Sequence, residues 1–305
     1  MAEPHYMAQG LRFPEGPVAM PDGSVVLVEI ARGTVTRIAD DGIVSVVSAV
    51  GGGPNGAAIG PDGACYICNA GGSRWQETDQ GIRPVGQADD YTTGRIERVD
   101  LATGEMTRLY DKAENGALNA PNDIVFDRTG GFWFTDTGSG RHRSMDRGGI
   151  FYARPDGSSI TEVIFPMLQP NGIGLSPGED VLYVAETVSG RLWAFDIETP
   201  GRINRLTWPS PNGGRLVTSL PGYRLFDSLA VDAEGNIAVA TLYDGGVTVI
   251  SPAGEILEDI RLPDRFVTNI CFGGEDRRTA FITMAETGRL ARMPWSRAGL
   301  KLNFS

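Results

Sequence analysis

One short phrase recurs six times along this chain of 305 residues: a polar residue, a small or apolar run, a turn, and a second apolar run. It reads P-E-G-P-V-A-M-P-D-G-S-V-V-L-V-E from Pro14, P-N-G-A-A-I-G-P-D-G-A-C-Y-I-C-N from Pro54, P-N-D-I-V-F-D-R-T-G-G-F-W-F-T-D from Pro121 and P-N-G-I-G-L-S-P-G-E-D-V-L-Y-V-A-E from Pro170. Phe226 opens F-D-S-L-A-V-D-A-E-G-N-I-A-V-A-T, and Thr268 opens T-N-I-C-F-G-G-E-D-R-R-T-A-F-I-T. The starts lie 40, 67, 49, 56 and 42 residues apart. Each phrase reads as two antiparallel strands joined by a tight turn. More short strands follow, among them Gly94–Val99, Gly149–Ala153, Gly190–Phe195, Gly246–Ile250 and Arg289–Met293. Such a unit cannot bury both faces alone, but stacked in a ring each sheet covers the next. The expectation is an all-β fold, a six-bladed β-propeller spanning 1–305 as one domain, with blade phrases beginning near 14, 54, 121, 170, 226 and 268. The last blade is expected to close with either Met7–Phe13 or Leu300–Phe304.

The 41 glycines and 19 prolines suit a turn-rich β chain. No apolar run is long enough to span a bilayer as a helix, and Met1–Gly10 lacks a basic apolar leader, so the expected location is the cytoplasm. Three cysteines argue against a disulfide scaffold. A net charge of −11 disfavours nucleic acid and anionic membrane as partners.

The second residue of each phrase is Glu15, Asn55, Asn122, Asn171, Asp227 and Asn269. In a propeller the innermost strands line a central channel, so these six positions fall on one ring. Strand interiors disfavour Asp and Asn. One such residue would be an ordinary turn residue. Six in register, two of them carboxylates, instead read as an oxygen-rich site for a hard divalent cation.

The phrases P-E-G-P, P-N-D-I-V-F-D, P-N-G-I-G-L-S-P and F-D-S-L-A-V-D, together with L-Y-V-A-E-T, resemble the gluconolactonase, regucalcin and luciferin-regenerating enzyme family over roughly residues 11–295. That resemblance implies a six-bladed propeller with one divalent metal on its axis, calcium first; oxygen ligands also admit magnesium or manganese, and relatives are associated with zinc and iron. Carried over by motif, Glu15, Asn122, Asn171 and Asp227 match its metal-binding positions. In some relatives the residue matching Asn122 contacts substrate instead. The expected partner is a small-molecule lactone, held also by the remaining ring members Asn55 and Asn269.

A lactone carbonyl gains negative charge during hydrolysis, which a cation can stabilise. Asp227 is the candidate general base, with direct nucleophilic attack by the same carboxylate as the alternative found among relatives. Neighbouring Ser228 is a candidate for holding a water or ligand. The segment Gly71–Thr93 reads as a long loop with little strand pattern, placing Arg74, Trp75 and Tyr91 over the channel mouth to contact substrate. Ser139–Arg147 occupies the analogous place in the third blade, where His142 and the arginines are candidates for binding an anionic or polyhydroxyl substrate, and Thr199–Gly214 reads as a third lid. Asp136 and Glu186, at second-strand ends, are expected to form a polar, exposed rim rather than an additional cation site.

Cys65 and Cys68 fit a C-x-x-C spacing, but within one strand such residues face opposite sides, which argues against a zinc or redox site. With only His5 and His142 present, a multi-histidine metal site is excluded. Two other functions share this pattern. One is a non-catalytic propeller binding calcium or a protein partner. The other is a strictosidine-synthase-like propeller, whose members lack the metal site, so that Glu15, Asn171 and Asp227 together argue against it.

Overall fold

The computed structural model of the protein describes residues 4–305. The first three residues of the expected 1–305 span, and of the Met1–Gly10 start, lie outside them. Six antiparallel sheets make a six-bladed β-propeller. Blade 1 is built from Pro14–Ala19, Val25–Glu29, Thr34–Ile38 and Val44–Ala49. Blade 2 holds Pro54–Ile59, Cys65–Asn69, Arg95–Val99 and Met106–Tyr110. Blade 3 holds Pro121–Phe126, Phe132–Asp136, Gly148–Ala153 and Ile160–Met167. Blade 4 holds Pro170–Leu175, Val181–Glu186, Arg191–Thr199 and Arg215–Ser219. Blade 5 holds Leu225–Val231, Ile237–Leu242, Gly246–Ile250 and Ile256–Arg261. Blade 6 holds Val267–Gly273, Thr279–Met284 and Arg289–Pro294, and its outermost strand is His5–Gln9 from the other end of the chain.

The N-terminal segment is therefore the one that closes the ring. Leu300–Phe304 forms no strand. It crosses the lower end of the channel, where the Leu300 amide donates to Val231 O (3.0 Å), the Asn303 side chain donates to Phe126 O (3.1 Å), and Phe304 meets the Phe126 ring edge-on. The lower channel is a cavity of about 860 Å³, walled by all six innermost strands and this tail.

The alternation of each strand turns one apolar row toward the preceding blade and one toward the next. The buried apolar side chains accordingly sort into one cluster per blade interface, with a seventh, smaller cluster of Phe13, Ile30, Ile82 and Ala285 at the upper face. Val26 and Val28 meet Ile59 and Ile67 between blades 1 and 2, and Tyr66 and Ile96 meet Phe126, Phe132 and Phe134 between blades 2 and 3. Trp133 and Ile150 meet Leu182 and Phe195 between blades 3 and 4. Tyr183 meets Phe226 between blades 4 and 5, and Val247 meets Ile282 between blades 5 and 6. Met7, Ala8 and Leu290 meet Val25 and Leu27 at the closing interface. Cys65 and Cys68 belong to different clusters, on opposite faces of their strand.

Every innermost strand starts at one face of the propeller, here called upper, and ends at the other. The upper face carries the loops that lead into the phrases and those joining second to third strands. The lower face carries the P-D-G-type turns and the connections from third to fourth strands. Thr199–Gly214 is one of the latter. It is thus no lid over the upper mouth but lies at the lower face, where Gly201 packs on the Tyr152 ring.

Candidate metal centre

Each first hairpin breaks register within or beside the second residue of its phrase, as between Glu15 and Val18, Pro54 and Ala57, Pro121 and Ile124, Pro170 and Ile173, Phe226 and Leu229, and Val267 and Asn269. A β-bulge re-aims a side chain out of the pleat. Six bulges at one level take the ring residues out of the regular alternation that builds the inter-blade cores. Glycines after the ring residue let neighbouring strands come close. A Cβ on Gly16 would sit 2.5 Å from Asn55 O, and one on Gly56 would sit 2.4 Å from Asn122 O.

The ring is bonded across blades. Asn269 Nδ2 donates to Glu15 Oε2 at 2.7 Å, and Ser228 Oγ donates to Asn171 Oδ1 at 3.4 Å. The Thr135 hydroxyl donates to the Asn171 carbonyl at 2.7 Å. Glu15, Asn122, Asn171, Asp227 and Asn269 are all buried, and Asn55 is half-buried. A seventh residue, Asp123, is buried with them; its Oδ1 accepts from the Ile124 amide at 2.9 Å. Sequence reasoning missed it. The signal was present, because the residue after the ring position is Gly16, Gly56, Asp123, Gly172, Ser228 and Ile270, and a carboxylate stands out in that series.

Three buried carboxylates in one site repel one another. Burial, then the charge of Asp227 and more weakly that of Asp123, holds the Glu15 carboxyl well above its usual range, against hydrogen bonds from Asn269 and the Gly16 amide. Burial lifts Asp227 to about 7, helped by Asp123 and opposed by Asn171 and the Ser228 amide. Burial also lifts Asp123 to about 7, opposed by the amides of Ile124 and Ile173 and the Ser228 hydroxyl. Among the described residues, no Arg or Lys pairs with any of the three. Asn122 Oδ1 is buried without a hydrogen-bond partner. The donors are therefore carboxylate and amide oxygens, short of positive charge and with one oxygen orphaned, which fits a hard divalent cation. Among the described residues no three His, Cys, Asp or Glu side chains form a metal-holding group by themselves, so amide oxygens would have to complete the set.

Around the ring, the second strands end in buried polar groups that hold the loops leading into the phrases. Glu29 accepts from the Arg12 amide (2.7 Å) and Asn69 from the Gly53 amide (2.9 Å). Asp136 accepts from Asn119 (2.7 Å) and Ala120 (2.8 Å), and Glu186 from Leu168 (2.7 Å). Asp136 and Glu186 are thus buried anchors and not an exposed rim, because backbone N–H groups replace the water they lose.

Gly71–Thr93 is not strandless. It folds as a hairpin, Ser73–Thr78 paired with Gly81–Gln87, of which only Ile82 is fully buried, so that its sequence shows no apolar alternation. The hairpin lies across the upper face. Ile82 donates its amide to Glu286 O of blade 6 (3.1 Å), and Gln87 donates to Ser139 Oγ of blade 3 (3.1 Å). Trp75 packs on Phe13, with ring centroids 5.0 Å apart. Arg74 is exposed beside Asp89, and the Tyr91 hydroxyl donates to Asn119 O at 2.8 Å. His142 is exposed on a loop whose Arg141 is held by both carboxylate oxygens of Asp146. None of these four joins the carboxylate–amide ring.

Comparison with known proteins agrees with this architecture. The family described as SMP-30/Gluconolactonase/LRE-like region matches residues 13–286. A gluconolactonase of Zymomonas mobilis is 26% identical over 302 residues, covering 91% of this chain and 77% of its own. Lactonase drp35 of Staphylococcus saprophyticus is 28% identical over 259 residues, covering 84% of this chain and 72% of its own. The solved structure of a calcium-binding protein, regucalcin from Agrobacterium tumefaciens, superposes with a TM-score of 0.77 at 18% identity over 100% of this chain and 97% of that one, which is a likeness of fold.

Proposed function

The chain belongs to the SMP-30/gluconolactonase/LRE-like family, and from that premise we propose that it is a hydrolase opening a lactone of a sugar acid or a similar small cyclic ester at the carboxylate–amide ring. The observation that carries the reading is the orphaned Asn122 Oδ1 together with three buried carboxylates that no Arg or Lys among the described residues neutralises.

Glu15, Asn122, Asn171 and Asp227 would hold the divalent cation, calcium first. When bound, such an ion polarises a carbonyl oxygen and stabilises the negative charge that develops on it. Asp227 takes the proton of the attacking water. The water oxygen bonds to the carbonyl carbon, the ring C–O bond breaks, and the proton passes to the departing alkoxide, leaving a hydroxy acid. Asn171 and the Ser228 amide fix the Asp227 carboxylate, and the Asn269 amide fixes Glu15. Asn55, Asn122 and Asn269 supply amide groups facing the substrate.

The test is turnover of a lactone panel before and after chelation. Stripped protein is expected to lose activity and to regain it with a divalent cation. Asp227→Asn is expected to lose about 10²–10⁴-fold in kcat while keeping its fold. Wild-type rates in that variant would remove Asp227 from the chemistry.

A further inference from the structure

The lower channel is more than a gap between blades. Its cavity of about 860 Å³ runs from Gly16, Asp123 and Asn269 at the level of the ring down to Leu300, Leu302 and Phe304 of the C-terminal tail. Protein interiors hold few voids larger than a water molecule, whereas small-molecule sites occupy about 300–1,000 Å³. Below the ring the innermost strands present small side chains. Ala19, Ala57, Ala58, Ala230 and Cys271 line the cavity, and all five are half-buried although they belong to the strands nearest the axis, because they border open space. Strands ordinarily favour β-branched and aromatic residues, and larger side chains at these places would narrow the channel.

Charged side chains line the cavity only at its two ends. Asp123 stands at the upper end. Asp22, Arg128, Glu179, Glu275 and Arg277 lie in turns of the lower face, and Lys301 lies in the tail. Along the wall between them a charged molecule would lose its hydration without gaining a partner. Asp123 accepts from three donors, the amides of Ile124 and Ile173 and the Ser228 hydroxyl. A carboxylate offers about four acceptor places, so one more hydroxyl can donate to it. An anionic end would instead be repelled by Asp123, Glu15 and Asp227. The floor of the chamber is its least anchored wall: the tail forms no strand, and Lys301, Leu302 and Asn303 are exposed.

We propose that the lower channel is a second binding site, which takes an uncharged, chain-like apolar molecule ending in a hydroxyl. The hydroxyl meets Asp123, the chain fills the space beside the small side chains, and the tail closes beneath it. Entry is from the lower face, by displacement of the tail. The site does not depend on the lactone-hydrolase reading, and either can fail without the other.

The experiment is calorimetric titration of the full chain with octan-1-ol and, separately, with octanoate, which has the same chain and an anionic end. Octanol is expected to bind saturably, one molecule per chain, and to raise Tm; octanoate is expected to bind about tenfold more weakly or not at all. Ala58→Leu and Ala230→Leu fill part of the chamber, and deletion of residues 300–305 removes its floor. Each change is expected to cut octanol affinity by about fivefold or more. Circular dichroism checks that the leucine variants fold; should they not, the tail deletion and the octanoate comparison decide. No saturable octanol binding, equal affinity for octanoate, or wild-type octanol affinity in every folded altered protein would overturn the site.

Discussion

Asn269 donates its side-chain amide to Glu15 Oε2 at 2.7 Å, so the innermost strand of the last blade is bonded to that of the first across 254 residues of chain. Among the described residues it is the only side-chain hydrogen bond acting to lower the raised Glu15 carboxyl; the other relief comes from the Gly16 amide. Replacing Asn269 by Ala should leave Glu15 worse compensated. A hydrogen bond to a charged group is worth about 1.5–3 kcal/mol, so calcium titration by calorimetry should show affinity falling by about tenfold or more. Unchanged affinity would mean that Asn269 does not support the ring.

The route of attack is open to a labelling test. With Asp227 as base, a single turnover in H₂¹⁸O places the label in the product carboxylate. Attack by Asp227 itself would put an unlabelled carboxylate oxygen into the first product and leave the label on the protein. The label is expected in the first product, read by mass spectrometry.

The carboxylate cluster makes the chelated protein sensitive to alkali. Asp123 and Asp227 are lifted to about 7 and Glu15 well above its usual range, against about 4 for unfolded carboxyls. Groups held above their unfolded value contribute stability that is complete below about pH 4 and is lost as pH rises through about 7. Tm of the chelated protein is therefore expected to fall between about pH 5 and pH 8. A divalent cation should raise it more at pH 8 than at pH 5, because the charged form of the ring is the one that binds. Thermal scans with and without calcium read both effects.

Ring closure has its own test. Removing residues 1–10 deletes the outermost strand of blade 6 and takes buried Met7 and Ala8 from the closing interface. It also leaves Arg289–Pro294 as an open edge, which invites pairing with other chains. Deleting 300–305 removes no strand. The first deletion is expected to lower Tm sharply and to give aggregates in size-exclusion chromatography, and the second to do much less.

Much of this was legible in the phrases. Each pairs a turn with two apolar runs, and the six inter-blade clusters follow from that alternation. The ring positions could be read because Glu15, Asn55, Asn122, Asn171, Asp227 and Asn269 share one place in the repeat. Asp123 escaped because it occupies the following position, where the other phrases vary. The Ser73–Thr78 hairpin escaped because its two strands fully bury only Ile82 and so carry no apolar period. Asp136 and Glu186 were misread because a carboxylate at a strand end looks the same whether water or buried amides surround it.

The amino-acid sequence by itself determined the number of blades and one shared place for the ring residues in each phrase, since both are properties of a local repeat. Tertiary structure alone decided which terminus seals the ring, which lids lie above the site and which below, and that a third carboxylate joins Glu15 and Asp227. Those outcomes depend on contacts between segments far apart in the chain, whose energies of burial and charge repulsion exist only once the blades have closed around a common axis.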